Sequence, residues 1–146
     1  MKKLLGLVMV AVLALAACGT KAVEYKGEVA PNAKGDVYSV TFKKAGDKIS
    51  DVVFTVIQGK NGLDKREDKD YVLAPSAKWS YAEQVEWIET FIEENGTFPE
   101  GEDVDQGKDD EGKSKGTKLI ATDADAKCSI GMDGYKAAFD AAKEVK

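Results

Sequence analysis

Histidine is missing altogether from these 146 residues, cysteine occurs twice, and proline occurs three times. Without imidazole, the usual zinc sites and the histidine-dependent catalytic triads cannot be assembled. An excess of positive charge is missing too: 21 Lys and Arg stand against 26 Asp and Glu, for a formal charge of −5. A nucleic-acid partner is therefore not expected, because neutralising phosphates takes a basic face. The apolar stretch from Leu4 to Ala17 covers fourteen residues, short of the roughly 20 that a membrane-spanning helix requires.

That stretch follows Lys2 and Lys3 and stops at Cys18, the pattern of an export signal. Leu15-Ala16-Ala17-Cys18 resembles the lipobox of bacterial lipoproteins. The resemblance implies a signal peptide over 1–17, lipidation of Cys18 and a lipid-anchored, extracytoplasmic location at the cell membrane. Several acyl chains hold a protein on a bilayer stably, whereas one chain binds only marginally. Loss of the two signal lysines takes the formal charge from −5 to −7. With Cys18 lipidated, Cys128 is the remaining thiol and no intramolecular disulfide forms. The remaining chain is long enough for one domain with one core.

Residues 18–34 read as the lipidated N-terminus and tether, with a weak strand over 22–29, and the domain proper as 35–146. Tyr38, Val40 and Phe42 alternate, as do Val52, Phe54 and Val56, across a turn at Lys44-Ala45-Gly46-Asp47, predicting a hairpin. The charged run over 59–78 reads as a solvated surface. Ser80 and Glu83 form a capping box. After it, Tyr81, Val85, Ile88, Phe91 and Ile92 make one helical stripe that ends at Asn95-Gly96. Trp79 and Trp87 lie off that stripe. Two readings of them stand: they line a ligand surface, or they cover the edge of the core as aromatics flanking a helix commonly do.

Between 99 and 118 there is one valine among polar and glycine residues, too little apolar surface to offset the entropy of ordering. A mobile acidic loop is expected there. Its carboxylates do not make an EF-hand: counted from Asp103, the sixth and twelfth positions are Lys108 and Ser114, where glycine and glutamate are needed. No metal site is expected. TKLIAT at 117–122 suits a short strand, and Met132, Tyr135, Phe139 and Ala142 suit a closing helix with Lys143 and Lys146 near its end. The whole reads as α+β, a largely antiparallel sheet with a middle helix and a C-terminal helix packed on it.

The loop before that last helix, Asp123-Ala124-Asp125-Ala126-Lys127-Cys128-Ser129-Ile130, runs into a helix N-terminus, where unpaired amides favour an anion. The plainer alternative is that Ser129 or Asp133 caps the helix and Cys128 packs as a small apolar side chain. The same residues resemble a degraded D-x-x-S-G-A-T-I motif of bacterial FMN-binding domains. In flavinylated members a flavin transferase esterifies FMN to the threonine, where this chain has Ser129. Ala126 and Lys127 stand where the motif has serine and glycine. Lys78 to Val85 with Glu93-Glu94-Asn95-Gly96, and the hairpin VYSVTFKKAGDKISDVVF, are similar to the pheromone-lipoprotein branch of that family.

The resemblance implies an FMN-binding-like domain with Ser129 as the attachment point. Asp123 and Lys127 would shape the phosphate loop, Cys128 would sit beside it, and the Trp79 region would meet the ring. It implies electron transfer at the cell envelope, a redox partner and a flavin transferase as partners, and no catalytic residues. The alternative is a surface lipoprotein that keeps the fold, has lost flavin and acts as a binding or interaction module. Carboxylates are plentiful, but without a pocket to place them they are no catalytic pair.

Overall fold

A computed structural model describes residues 19–73, 77–122 and 128–146. The expected signal peptide and Cys18 lie outside the described residues. Strands β1 (Val23–Glu28), β2 (Val37–Ala45), β3 (Lys48–Ile57) and β6 (Lys143–Glu144) form one antiparallel sheet in the order β3-β2-β1-β6, and β4 (Gly101–Asp105) pairs with β5 (Thr117–Ala121) in a separate ribbon. Helices α1 (Tyr81–Asn95) and α2 (Asp133–Asp140) complete the α+β fold.

The β2–β3 hairpin turns at Gly46 and Asp47, between the paired Ala45 and Lys48. Gly46 takes a φ of 63°, as the first central residue of a tight hairpin turn requires. Alternation in β3 is interrupted once. The pairs Thr41–Val53 and Lys43–Ser50 leave Asp51 and Val52 opposite Phe42, a β-bulge at which Asp51 adopts a φ of 53°. The extra residue resets the period, so that Ile49 and then Val52, Phe54 and Val56 all face inward.

Both helices share the core that the sheet presents. Val40, Phe42 and Phe54 pack with Val85, Ile88 and Ile92 of α1 and with Met132, Tyr135 and Ala138 at α2. α1 begins as its sequence dictates: Ser80 Oγ accepts the Glu83 amide and the Glu83 carboxylate accepts the Ser80 amide, while Gly96 closes the helix at a φ of 72°. Two of its carboxylates reach the sheet, where Glu93 accepts the Val52 amide at 2.8 Å and the buried Glu89 the Phe54 amide at 2.7 Å. α2 crosses β1 at Gly27, where a Cβ would lie 2.0 Å from the Ala138 carbonyl oxygen. Only glycine permits that approach.

Three expectations are corrected. The segment 99–118, expected as a mobile loop, carries all of β4 and the start of β5; ladder hydrogen bonds, extended by Gln106 to Gly116 at 2.9 Å, tie it to β5, whose Leu119 and Ala121 pack on the core. The 18–34 segment is not all tether, because β1 lies between β2 and β6 and belongs to the domain. The last helix ends at Asp140, so that Lys143 is not in its final turn but pairs with Lys26 of β1.

Candidate functional site

The loop that enters α2 is organised by one side chain from α1. Gln84 is wholly buried, and its Oε1 accepts the Ser129 amide at 2.7 Å and the Ile130 amide at 3.0 Å, while its Nε2 donates to the Trp79 carbonyl at 3.0 Å. Gln84 thus draws together two residues that the sequence singled out, Trp79 and Ser129. Ser129 is exposed, and its Oγ stands 3.4 Å from Gln84 Oε1. Neither alternative for the helix cap holds: the N-cap is Met132, with no side-chain cap, and Asp133 instead accepts the Leu119 amide at 3.0 Å. Cys128 is buried at 2 % exposure, and burial pushes its thiol up to about 11. Asp123 and Lys127 lie outside the described residues.

Beside this loop opens a cleft of about 880 Å³. Its floor and walls include Tyr38 on β2, Lys65 and Tyr71 from the connection after β3, Tyr81 at the start of α1, and Gly134 and Tyr135 at the start of α2. Trp79 borders a smaller neighbouring cavity of about 330 Å³, and Tyr71, Leu73 and Tyr81 line both spaces. Neither Cys128 nor Ser129 lines the larger cleft. Lys118 connects them to it: it lines the cleft and its Nζ donates to the Ser129 carbonyl at 2.9 Å.

The cleft is held by an ion pair. Lys65 Nζ lies 2.8 Å from Asp36 Oδ2, with the two side chains only 10 % and 9 % exposed, and the same ammonium sits 5.1 Å from the Tyr71 ring centre and 5.8 Å from that of Tyr38. Burial pulls the Lys65 ammonium down, but the hydrogen bond to Asp36 and the neighbouring phenols outweigh it and leave it above its ordinary value. Burial pushes the Asp36 carboxyl up, yet Lys65 and the Gly59 amide more than offset this and hold it below the usual range. Opposite, the hydroxyls of Tyr81 and Tyr135 meet at 2.5 Å, and burial raises both phenols above the usual tyrosine range. Gly134 lets the Tyr38 ring lie against α2, since a Cβ there would stand 2.6 Å from the ring.

None of Asp36, Lys65 or the phenol pair is distinguishable as a site residue in the sequence. Lys65 belongs to a charged run that reads as solvated surface, whereas the fold turns Lys65 toward Asp36, Arg66 toward Glu89, and Asp68 toward Gln58. Tyr81 and Tyr135 sit on apolar stripes and read as core. The one available signal is chemical: a tyrosine on a buried stripe carries a hydroxyl that needs a partner.

The residues meet an FMN phosphate halfway. The Ser129 hydroxyl is accessible to an esterifying enzyme, but the two amides best placed to cradle the phosphate already donate to Gln84. Among the described residues no group of three metal-ligating side chains occurs, and no helix is long and apolar enough to cross a membrane. Comparison of the chain with protein-family models, curated proteins and solved structures gave no match.

Proposed function

We propose that this protein is a lipid-anchored, extracytoplasmic binding module of the FMN-binding type, a carrier and not an enzyme, with FMN esterified to Ser129. The observation that carries the reading is the cleft of about 880 Å³ reached from an exposed Ser129 across Lys118. Bound flavin would supply electron-transfer chemistry, with this chain supplying position and electrostatics. Lys118 stands where it would offset phosphate charge, and the Tyr38 and Tyr71 rings offer flat apolar surface. Cys128 contributes packing alone, since its buried thiol is held protonated.

A second reading is supported by the occupied amides of Ser129 and Ile130: the fold is kept, flavin is not attached, and the cleft serves another ligand on the cell surface. Co-expression with a flavin transferase separates the two. Yellow protein whose intact mass has risen by one esterified FMN, and a colourless Ser129→Ala variant, are the results expected for a carrier. An unmodified, colourless parent chain would remove the flavin reading and leave the second.

A further inference from the structure

We propose that the cleft is itself a binding site for a small ring compound bearing an oxyanion, with Lys65 and the Tyr81–Tyr135 phenol pair as its principal hydrogen-bond donors, independent of any group on Ser129. Two hydroxyls that bond to each other use one of their two protons. Among the described residues no third atom bonds to either phenol, so one O–H remains for a ligand at the cleft wall. An ammonium carries three N–H groups. Lys65 gives one to Asp36, and its Nζ, 5.1 Å from the Tyr71 ring centre and 5.8 Å from that of Tyr38, has no second hydrogen-bond acceptor among the described residues.

The acceptors deepest in the cleft, in contrast, are engaged. Asp36 takes the Lys65 ammonium and the Gly59 amide, Asn32 Oδ1 takes the amides of Lys34 and Asp36, and Asp133 takes the Leu119 amide. Four lysines line the space against two aspartates, in a chain whose formal charge is −5. Spare donors and an excess of lysine over aspartate in the lining favour a ligand rich in acceptors. Charge-assisted hydrogen bonds to an oxyanion are about twice as strong as neutral ones. The tyrosine faces, with Leu73 and Ile130 also in the lining, favour a flat apolar body behind that oxyanion. Carboxylate and phosphate share this chemistry.

The test uses the full chain in detergent as its Ser129→Ala variant, which cannot carry an ester, so that failure of the flavin reading leaves the experiment intact. Phenyl phosphate, benzoate and phenol are titrated at constant ionic strength, with amide NMR shifts as the readout. Saturable shifts at Gly131, Gly134 and Tyr135 are expected for at least one of the two anions, and which one responds assigns the oxyanion. Phenol, the ring alone, should bind at least tenfold more weakly.

Tyr81→Phe with Tyr135→Phe removes both hydroxyls without orphaning either, and should weaken anion binding about tenfold while the fold persists. Lys65→Gln with Asp36→Asn keeps a polar pair without charge and should weaken it by a similar factor. The proposal is overturned if neither anion saturates, if phenol binds as tightly, if the phenylalanine pair binds like the parent, or if shifts appear only at Ser129 and Ile130.

Discussion

Two neighbouring regions of this molecule solve opposite problems. At the loop entering α2, backbone donors that could hold an anion are satisfied from within by Gln84. In the cleft next to it, four lysines stand against two aspartates, and a phenol pair and a lysine ammonium line the space. A strand-to-helix loop with a serine looks like a site in sequence whether or not its amides are spoken for. What decides is a side chain forty-five residues away in the chain, on another element. Recognition capacity is a property of the leftover hydrogen-bonding groups after folding, not of the residue types at a motif.

Breaking the cleft's ion pair should have the largest effect. Lys65→Met strands the Asp36 carboxylate among buried groups and should destabilise the fold by about 3 kcal/mol, read as a lower midpoint in urea unfolding. A change below about 1 kcal/mol would mean that the pair is solvated and that the contrast between the regions is overstated.

Next comes Gln84→Leu, which removes the acceptor of two amides and should cost about 2 kcal/mol. It also sharpens the comparison. Sulfate should then raise the melting temperature of the variant more than that of the parent, because the freed amides become an anion seat.

The pH dependence of the pair follows from its two shifts. Asp36 is held below its ordinary value, so its stabilisation is present above an unfolded value of about 3.9 and is lost as pH falls through the lower folded one. Lys65 is held above its ordinary value, so its stabilisation is present below about 10.4 and is lost as pH rises through the higher folded one. The Lys65→Gln, Asp36→Asn double variant should therefore show flatter stability at both extremes, measured by urea midpoint against pH.

At the loop, iodoacetamide should label Cys128 slowly at pH 8 and faster only as pH approaches about 11, where the thiol ionises. Rapid labelling at pH 8, followed by intact mass, would show that the loop opens. Smallest of all, Ser129→Ala should change stability by less than about 0.5 kcal/mol, since the hydroxyl is exposed and its contact with Gln84 is long at 3.4 Å.

Local signals carried much of this fold into the sequence. The capping box at Ser80 and Glu83, the stop at Gly96, the stripe from Tyr81 to Ile92 and the turn at Gly46 each depend on residues within a few positions of one another. The strand at 117–121 was legible for the same reason. The β4–β5 ribbon was not, because β4 is exposed along its whole length and is held by pairing with β5, whose Leu119 and Ala121 pack on the core. The short final strand escaped because its pairing with β1 spans almost the whole chain.

The sequence singled out Trp79 and Ser129 but gave no sign of Gln84, the glutamine that bonds to the backbone of both. Asp36 and Lys65 were illegible because a salt bridge between positions twenty-nine apart leaves no periodic trace. Within the charge run 64–70, Lys65, Arg66 and Asp68 read as solvated only when they are considered without the partners that the fold delivers, while Glu67, Lys69 and Asp70 are exposed.

The helix carboxylates that close on β3 have a consequence for life in a crowd. Glu89 and Glu93 occupy the Phe54 and Val52 amides on the sheet's outer border, so a foreign chain arriving there finds no ladder to extend, and the opposite border offers a strand of only two residues. Copies packed side by side would then remain separate molecules instead of zipping into a fibre.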